Sequence, residues 1–192
     1  MLHFVAKGDT EVSLRLIIDS SSLIVLARLD ALSALHEVYG VIGLTASVYE
    51  EVVLQGQKKG VPDAAVVEKA VNDHWFRELS LTAVEKRFVT ALRERTSGIS
   101  RTDAETLACA YGHKLTVLIE DRRARAVARA EGIPYITIQV FPLYGVLDRK
   151  LSPAQCDDLL VRIGRAMQTD LAVVEALRAA AKEIDRGRRK DL

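Results

Sequence analysis

The amino-acid sequence predicts an α/β protein, a three-layer α/β/α fold with a central parallel sheet. Short apolar runs of strand length alternate along the chain with segments whose apolar residues recur at helical spacing. Such alternation is typical of βαβ units, which cover both faces of a parallel sheet with helices. The chain has 192 residues, of which 49% are hydrophobic and 28% are charged. This composition is typical of a globular protein with its own core.

The first part of the chain is predicted to contain two strands and three helices. The run 14–18 is a buried strand, and a helix is predicted over 20–39, because serines can cap its start and leucines recur until Gly40. The run 41–44 is the second strand. Thr45 can cap the helix that follows it.

The segment 54–63, LQGQKKGVPD, is predicted to be the most exposed loop of the chain. It combines two glycines and two lysines. Pro62 suits the first turn of the next helix, which is predicted through Val71. Residues 75–81 predict a third strand.

Thr82 and Glu85 form a capping box at the start of a helix that is predicted to Arg95. The remaining predicted elements alternate between helix and strand: helices over 102–111 and 122–131, and strands over 115–119 and 133–140. From Leu147 onward the apolar spacing is helical, with a start signal at Ser152-Pro153. The sequence therefore predicts a main domain over 1–146 and a helical extension, 147–192, packed on it. The charged tail, RGRRKDL, is predicted to fray.

Several classes of protein are excluded by what the sequence lacks. No run approaches the roughly 18 apolar residues of a membrane span, and no signal peptide is visible, so a cytoplasmic protein is expected. Two separate cysteines, Cys109 and Cys156, fit a reducing compartment as packing or surface thiols. The four histidines lack the HxxxH and HxxEH spacings of zinc sites. The phosphate-binding motifs GxxxxGK[ST] and GxGxxG and the GxSxG elbow of serine hydrolases are missing too.

Acidic residues follow two of the predicted strands at the point where each strand ends. Asp19 comes directly after the first strand, and Asp121 follows the run LTVLIE. Glu51 lies in the helix after the second strand, and Asp103 and Glu105 lie in the first turn of the helix that precedes LTVLIE. In open parallel sheets, the functional crevice lies beyond the carboxyl ends of the strands. All five acids can converge there.

Carboxylates brought this close repel each other. At ~5 Å and an effective dielectric constant near ~20, each pair costs about 3 kcal/mol. A hard divalent cation such as Mg²⁺ or Mn²⁺ is the usual partner of a cluster of oxygen ligands without His or Cys. Such an ion can polarise a phosphoryl oxygen and activate a bound water. The predicted reaction is metal-assisted hydrolysis of a phosphodiester.

Each acid also has a structural interpretation. Asp19 and Asp121 can cap the helices that follow them, although the hydroxyls of 20–22 make a cap at Asp19 redundant. Asp103 and Glu105 both match capping boxes, with Ser100 and Thr102 as partners. Glu51 can be a solvated helix residue. The positions of the whole set, rather than any one acid, favour a functional site.

Four segments resemble the PIN-domain nucleases, and most closely their VapC-like branch: LIIDSSSLIVLARLD, LTASVYEEVV, RTDAETLACA and TVLIEDRRARAVARAEGIPYIT. The resemblance covers residues 14–137. It places the first metal-binding aspartate of the family on Asp19, the helix glutamate on Glu51, the mid-chain acid on Asp103 and the late strand-end aspartate on Asp121. These four are the expected catalytic residues and metal ligands, and Glu105 is a further expected ligand.

The resemblance implies Mg²⁺- or Mn²⁺-dependent cleavage of RNA, in many members by the toxin of a toxin–antitoxin pair. Many members have Asn two residues after the first aspartate, where this chain has Ser21. Counting from Thr45 favours Glu51 over its neighbour Glu50, and Glu105 can share or replace the role of Asp103. Glu120 is left out of the site, because alternation along the strand points it to the opposite face.

RNA is the expected substrate, although 27 basic residues nearly balance 26 acidic ones. If the clustered acids are offset by metal, the remaining surface is net basic. Arginines beside Asp121 are candidates to bind RNA phosphates, together with Ser21 as a substrate contact; these arginines are Arg122, Arg123 and Arg125. A small antitoxin protein and a second copy of the chain, docked through the C-terminal helices, are the expected protein partners.

Other functions remain open from the sequence. A housekeeping RNA-processing nuclease would use the same acids without an antitoxin. A non-catalytic PIN-like module would bind RNA or protein with an inactive crevice. A phosphoryl-transfer domain of the haloacid-dehalogenase or receiver type is disfavoured, because Ser20 and Ser21 follow Asp19 where a DxDx[TV] motif needs a second aspartate.

Overall fold

A five-stranded sheet forms the centre of the molecule. The structure is a computed structural model that describes residues 14–190, with side chains as far as Arg188. Its strands are β1 (Leu16–Ile18), β2 (Ile42–Thr45), β3 (Phe76–Leu79), β4 (Thr116–Leu118) and β5 (Tyr135–Ile136). They lie in the order β3-β2-β1-β4-β5, and every neighbouring pair is parallel. The predicted parallel sheet is therefore confirmed.

Helices connect the strands and pack on both faces of the sheet. They are α1 (Ser20–Arg28), α2 (Leu32–Tyr39), α3 (Ala46–Tyr49), a π-helical segment (Glu50–Leu54), α4 (Gln55–Lys58), α5 (Pro62–Asn72), α6 (Ala83–Arg95), α7 (Arg101–His113), α8 (Arg122–Ala130), α9 (Phe141–Leu147), α10 (Pro153–Ala166) and α11 (Leu171–Lys190). This arrangement confirms the three-layer α/β/α architecture.

The central strand β1 contributes to two separate cores. Leu16 and Ile18 belong to a core on one face with residues of α1, α2 and α5, whereas Ile17 belongs to a core on the other face with residues of α7 and α8. Side chains alternate between the faces of a strand, so a central strand covered on both faces is apolar throughout. This is why the run LII is fully buried.

The order of the strands places a crevice at the carboxyl end of β1. The chain passes from β1 to β2 on one side, and β4 pairs with β1 on the other. The connections that leave β1 and β4 therefore diverge, which is the topological switch point where open α/β sheets bind ligands. Asp19 follows β1 directly at this point.

The prediction of one helix over 20–39 is wrong, because the chain forms α1 and α2 with a break between them. Asp30 has a positive φ of 49° at the break. Arg162 from α10 donates a hydrogen bond of 2.6 Å to the carbonyl oxygen of Leu29, which satisfies one group that the break exposes. The leucine spacing continues across the break, so apolar periodicity alone could not reveal it.

Three other boundaries differ from the prediction. Helix continues through Lys58, so most of the predicted loop 54–63 is helical, and Gly60 with a φ of 67° makes the turn. Strand β5 is much shorter than 133–140, because the amide of Val140 bonds to Thr137 in a turn. Helix α9 then begins at Phe141, before the predicted helical region.

The C-terminal helices pack on the main core. Leu151, Leu159 and Ile163 lie in the same core as β1. The prediction that the tail frays is wrong for its described part, because α11 runs to Lys190. A domain boundary at 146 stays a prediction. Within residues 14–190, every helix is too short or too polar to cross a bilayer. Both cysteines are buried and free.

Candidate active site

Asp19 is a buried carboxylate held by three hydrogen bonds. It is only 1% exposed. Its Oδ1 accepts from the backbone amide of Ser22 at 2.8 Å, so Asp19 is the N-cap of α1. Its Oδ2 accepts from Ser21 Oγ at 2.8 Å and from the amide of Glu120 at 3.2 Å. The expectation that the serine hydroxyls make this cap redundant is wrong, since Asp19 is the cap and Ser21 orients its second oxygen.

The π-helical segment positions Glu51 next to the start of α1, directly after β1. The side chain of Thr45 accepts a hydrogen bond from the amide of Val48 and starts this helical region. Ser20 Oγ donates to Glu51 Oε2 at 2.9 Å. The neighbouring Glu50 instead lies where its charge acts on Arg101. Single π-helical turns widen a helix and change the direction of its side chains, and they are frequent at functional sites.

Asp103 occupies the first turn of α7. Ser100 is the N-cap, and its Oγ accepts from the Asp103 amide at 2.9 Å and donates to Asp103 Oδ2 at 2.7 Å. Burial raises the pKa of Asp103 to about 6, against the lowering effect of the Ser100 bond. The charges of three other acids raise the pKa further: Asp19, Asp121 and Glu51. The structure therefore brings the four predicted acids into one electrostatic neighbourhood.

Asp121 and Glu105 differ in their surroundings. Asp121 is exposed and caps α8, accepting from the amide of Ala124 at 2.8 Å through Oδ1. Glu105 forms an ion pair with Arg101 at 2.6 Å, and its charge is not among those that raise the pKa of Asp103. The structure thus groups Asp121 with the cluster and turns Glu105 toward an arginine.

Glu120 supports the site through its backbone. Its amide bonds to Asp19, whereas its carboxylate accepts from the amide of Ile138 at 2.6 Å and lies 3.7 Å from Arg125 Nη1. Burial raises the pKa of Glu120, and the charge of Asp19 adds to this effect. The bond from Ser20 to Glu51 and this backbone amide are contacts that the sequence did not predict, whereas the pairing of Ser100 with Asp103 was predicted and is confirmed.

The predicted arginines are not equivalent. Arg123 Nη1 donates to the carbonyl oxygen of Gly98 at 3.2 Å, and Arg125 pairs with Glu120. The exposed side chain of Arg122 has no hydrogen bond or ion pair with the residues that the structure describes. Arg122 is therefore the arginine beside Asp121 that is free to meet a ligand.

Among the described side chains, no cation pairs with the four acids. Within residues 14–188, none of them takes part in an ion pair with lysine, arginine or histidine. Among the described side chains, those that form hydrogen bonds with the four acids are serine hydroxyls, from Ser20, Ser21 and Ser100. An oxygen-only set with unbalanced negative charge fits a hard divalent cation.

Comparisons with known proteins agree with this geometry. A search of curated proteins returned no match. A family model described as a PIN domain matches residues 15–141, more than half of the chain. PIN domains are nucleases that generally use divalent metal ions, and the matched residues include all four clustered acids. By sequence and fold, the chain belongs to the PIN-domain family.

Proposed function

We propose that the protein is a Mg²⁺- or Mn²⁺-dependent endoribonuclease that hydrolyses RNA phosphodiester bonds in this crevice. The observation that carries the proposal is a cluster of four carboxylates without a cationic partner among the described residues: Asp19, Glu51, Asp103 and Asp121. Repulsion between four carboxylates needs a compensating positive charge. A divalent metal ion fits this need, because PIN domains generally use such ions.

Asp19, Asp103 and Asp121 would hold the metal together with Glu51. When bound, the ion supplies polarisation of a phosphoryl oxygen and a lowered pKa for an attacking water. Asp19 is positioned for this role by Ser21 and by the amide of Glu120, and Ser20 orients Glu51. Ligands fixed by such contacts lose little freedom when they bind a cation. Glu105 is a weaker candidate, because Arg101 already neutralises it.

RNA would approach from the side of α8. Arg122 can pair with a phosphate next to Asp121, which positions the backbone without reading the base. Arg123 and Arg125 would contribute charge more than direct contact, since each already has an internal partner. Ser21 binds Asp19, so its part is to position that carboxylate rather than to hold substrate.

Purified protein tests the proposal when it is incubated with single-stranded RNA and Mn²⁺ or Mg²⁺. We expect cleavage by the wild type, none with EDTA, and none by an Asp19→Asn, Asp121→Asn double variant. An Asp73→Asn, Asp158→Asn double variant is a matched control, because it removes two carboxylates that instead pair with Lys69 and Arg162. Equal RNA loss in all samples would refute the proposal, and metal-dependent RNA binding without cleavage would favour a non-catalytic module.

The proposal extends to a cytoplasmic toxin restrained by a small antitoxin, as in the VapC-like proteins that the sequence resembles. A homodimer through the C-terminal helices is part of it. Growth arrest on expression of the wild type, absent for the double Asp variant, is the expected result. Normal growth together with RNA cleavage in vitro would favour a housekeeping nuclease. Sedimentation of the purified chain as a monomer would contradict the dimer.

A further inference from the structure

A second cluster of metal-ligating groups lies away from the acidic crevice. Glu85, Cys109 and His113 each place one ligand atom within 4.8 Å of the other two. Glu85 comes from the first turn of α6, and the other two come from the last part of α7. Asp103 is ten residues before His113 on α7, so the two clusters are about 15 Å apart along the helix axis. They cannot share an ion.

Cys109 and His113 are four residues apart on one helix, so they lie on the same face one turn apart. This spacing is the one that two histidines provide in helical zinc sites. The spacing of the histidines speaks against a zinc site built on two histidines, but it does not bear on a site that pairs a cysteine with a histidine. Cys109 is fully buried, whereas the side chain of His113 is 43% exposed, which opens the cluster to solvent on one side.

The carboxylate of Glu85 is already oriented toward the pair. Its Oε2 accepts a hydrogen bond from the Thr82 amide at 2.6 Å in a capping box. Its Oε1 is directed to the other side and lies 3.5 Å from His113 Nε2. Two ligand atoms of a tetrahedral zinc ion, each about 2.0–2.1 Å from the metal, are about 3.4 Å apart. The separation between Glu85 and His113 therefore matches one edge of a zinc tetrahedron.

Gly112 makes room for this carboxylate. A Cβ built on Gly112 would overlap Glu85 Oε1. Glycine within a helix costs about 1 kcal/mol relative to alanine. The absence of a side chain at this one position on α7 lets Glu85 reach the helix beside the cysteine and the histidine.

We propose that Glu85, Cys109 and His113 bind a Zn²⁺ ion, with a water molecule as the fourth ligand. A thiolate, an imidazole and one carboxylate form a borderline-soft donor set, which selects Zn²⁺ over Mg²⁺ or Mn²⁺. The ion replaces the thiol proton of Cys109, which passes to solvent, and it offsets the charge of Glu85. It joins α6 to the end of α7, and the site is independent of the proposed nuclease activity.

Metal binding removes the proton of the Cys109 thiol, because a coordinated thiol binds as the thiolate. The capping box explains the position of Glu85, and an ion pair with His113 explains one further contact. The sulfur of Cys109 lies within 4.8 Å of a ligand atom on each of these two residues, which brings three different donor atoms together.

Cobalt(II) is the probe for this site, because a thiolate–cobalt bond gives intense near-ultraviolet absorption that oxygen ligands do not. We expect the full-length wild type to show this band with one Co²⁺ per chain, and Zn²⁺ to abolish it by displacement. Cys109→Ser should lose the band. His113→Ala, which changes a partly exposed side chain, should weaken Co²⁺ binding by at least about tenfold.

Two matched controls separate this site from the rest of the protein. Cys156 is also buried and free, but it lies in another core, so Cys156→Ser should keep the band. Asp19→Asn should keep it too, because it changes only the acidic crevice. Absence of the band in the wild type, or its loss in either control with Cys109 intact, overturns the proposal. If Cys109→Ser fails to fold, the His113→Ala titration decides the question alone.

Discussion

The two ends of helix α7 carry different donor chemistry. Asp103 in the first turn faces other carboxylates, whereas Cys109 and His113 near the last turn face a single one, Glu85. The helix macrodipole favours negative charge at the first end and positive charge at the last. The first end therefore tolerates a cluster of acids, and the last end favours a cation or a protonated histidine. One helix thus separates the proposed hard-cation site from the proposed borderline-soft one.

The largest expected effect is at the acidic end. Asp19→Asn removes one ligand and leaves the N-cap, since asparagine also caps helices well. We expect the rate of Mn²⁺-dependent RNA cleavage to fall by at least about 100-fold, because even substitution of residues behind the ligands costs 10–100-fold. Initial rates on a fluorescent RNA measure it. A loss below tenfold, with thermal stability unchanged, would remove Asp19 from the proposed ligand set.

The site at the first end of α7 could be predicted from the sequence more completely than the site at its last end. Strand-end acids are visible as residues that follow apolar runs, so Asp19 and Asp121 could be located without coordinates. The parallel sheet followed from the same runs. The π-helical turn at Glu51 could not be predicted, because nothing in the run EEVVL distinguishes a π-helical turn from an α-helical one.

Polar contacts between distant elements are the other features that could not be predicted from the sequence. The Glu85 cluster joins two helices through a gap at Gly112, and only their packing brings these residues together. In the same way, Arg162 bonds to the carbonyl oxygen of Leu29 at the break between α1 and α2, from more than 130 residues away. Periodicity reports which face of an element is apolar, but it does not report such long-range polar contacts.

Gly112→Ala tests the other end of α7. The new methyl group would displace Glu85 Oε1 and separate it from His113. We expect Co²⁺ affinity to fall by about tenfold, as for the loss of an oriented ligand, while RNA cleavage with Mn²⁺ stays within about twofold. Absorption titration and cleavage assays on the same preparation measure both. A parallel fall of the two would show that the ends of the helix are coupled.

Ser20→Ala has a smaller effect on the acidic end. It removes the hydroxyl that binds Glu51 Oε2, but it leaves every proposed ligand in place. We expect the Mn²⁺ concentration for half-maximal cleavage to rise about tenfold, with the maximal rate nearly restored at high Mn²⁺. Ser33→Ala, on the exposed surface of α2, is the matched control. A lowered maximal rate at saturating Mn²⁺ would instead give Ser20 a direct part in the reaction.

The pH dependence of protein stability tests the acidic end of α7 without any assay of activity. The pKa of Asp103 in the folded protein is about 6, above the usual value of about 3.9 for an unfolded chain. The folded state therefore binds more protons between these values, so the free energy of unfolding falls as pH rises from about 4 to about 6 and stays lower above that range. We expect a loss on the order of 1 kcal/mol after allowing for solvent screening of this partly exposed group.

Urea unfolding with EDTA, from pH 4.5 to pH 7.5, measures this loss. Asp103→Asn should lack this component, and Mn²⁺ should restore stability most strongly at the higher pH, where the carboxylate is ionised. The same pH profile in Asp103→Asn and in the wild type would assign the effect to other groups.

The smallest expected effect concerns RNA contact, which distinguishes the two ends in a further way. Arg122 lies next to Asp121 without an internal partner among the described residues. Removing one phosphate contact lowers the slope of log affinity against log salt by about 0.7 for a single strand. We therefore expect Arg122→Ala to reduce that slope by about this amount and to weaken RNA binding only severalfold.

Fluorescence anisotropy in the Asp19→Asn background, where RNA stays intact, measures this change. Arg165→Ala on α10 is the matched control. An unchanged slope in Arg122→Ala would place the bound RNA away from the start of α8, and the approach from that side would be wrong.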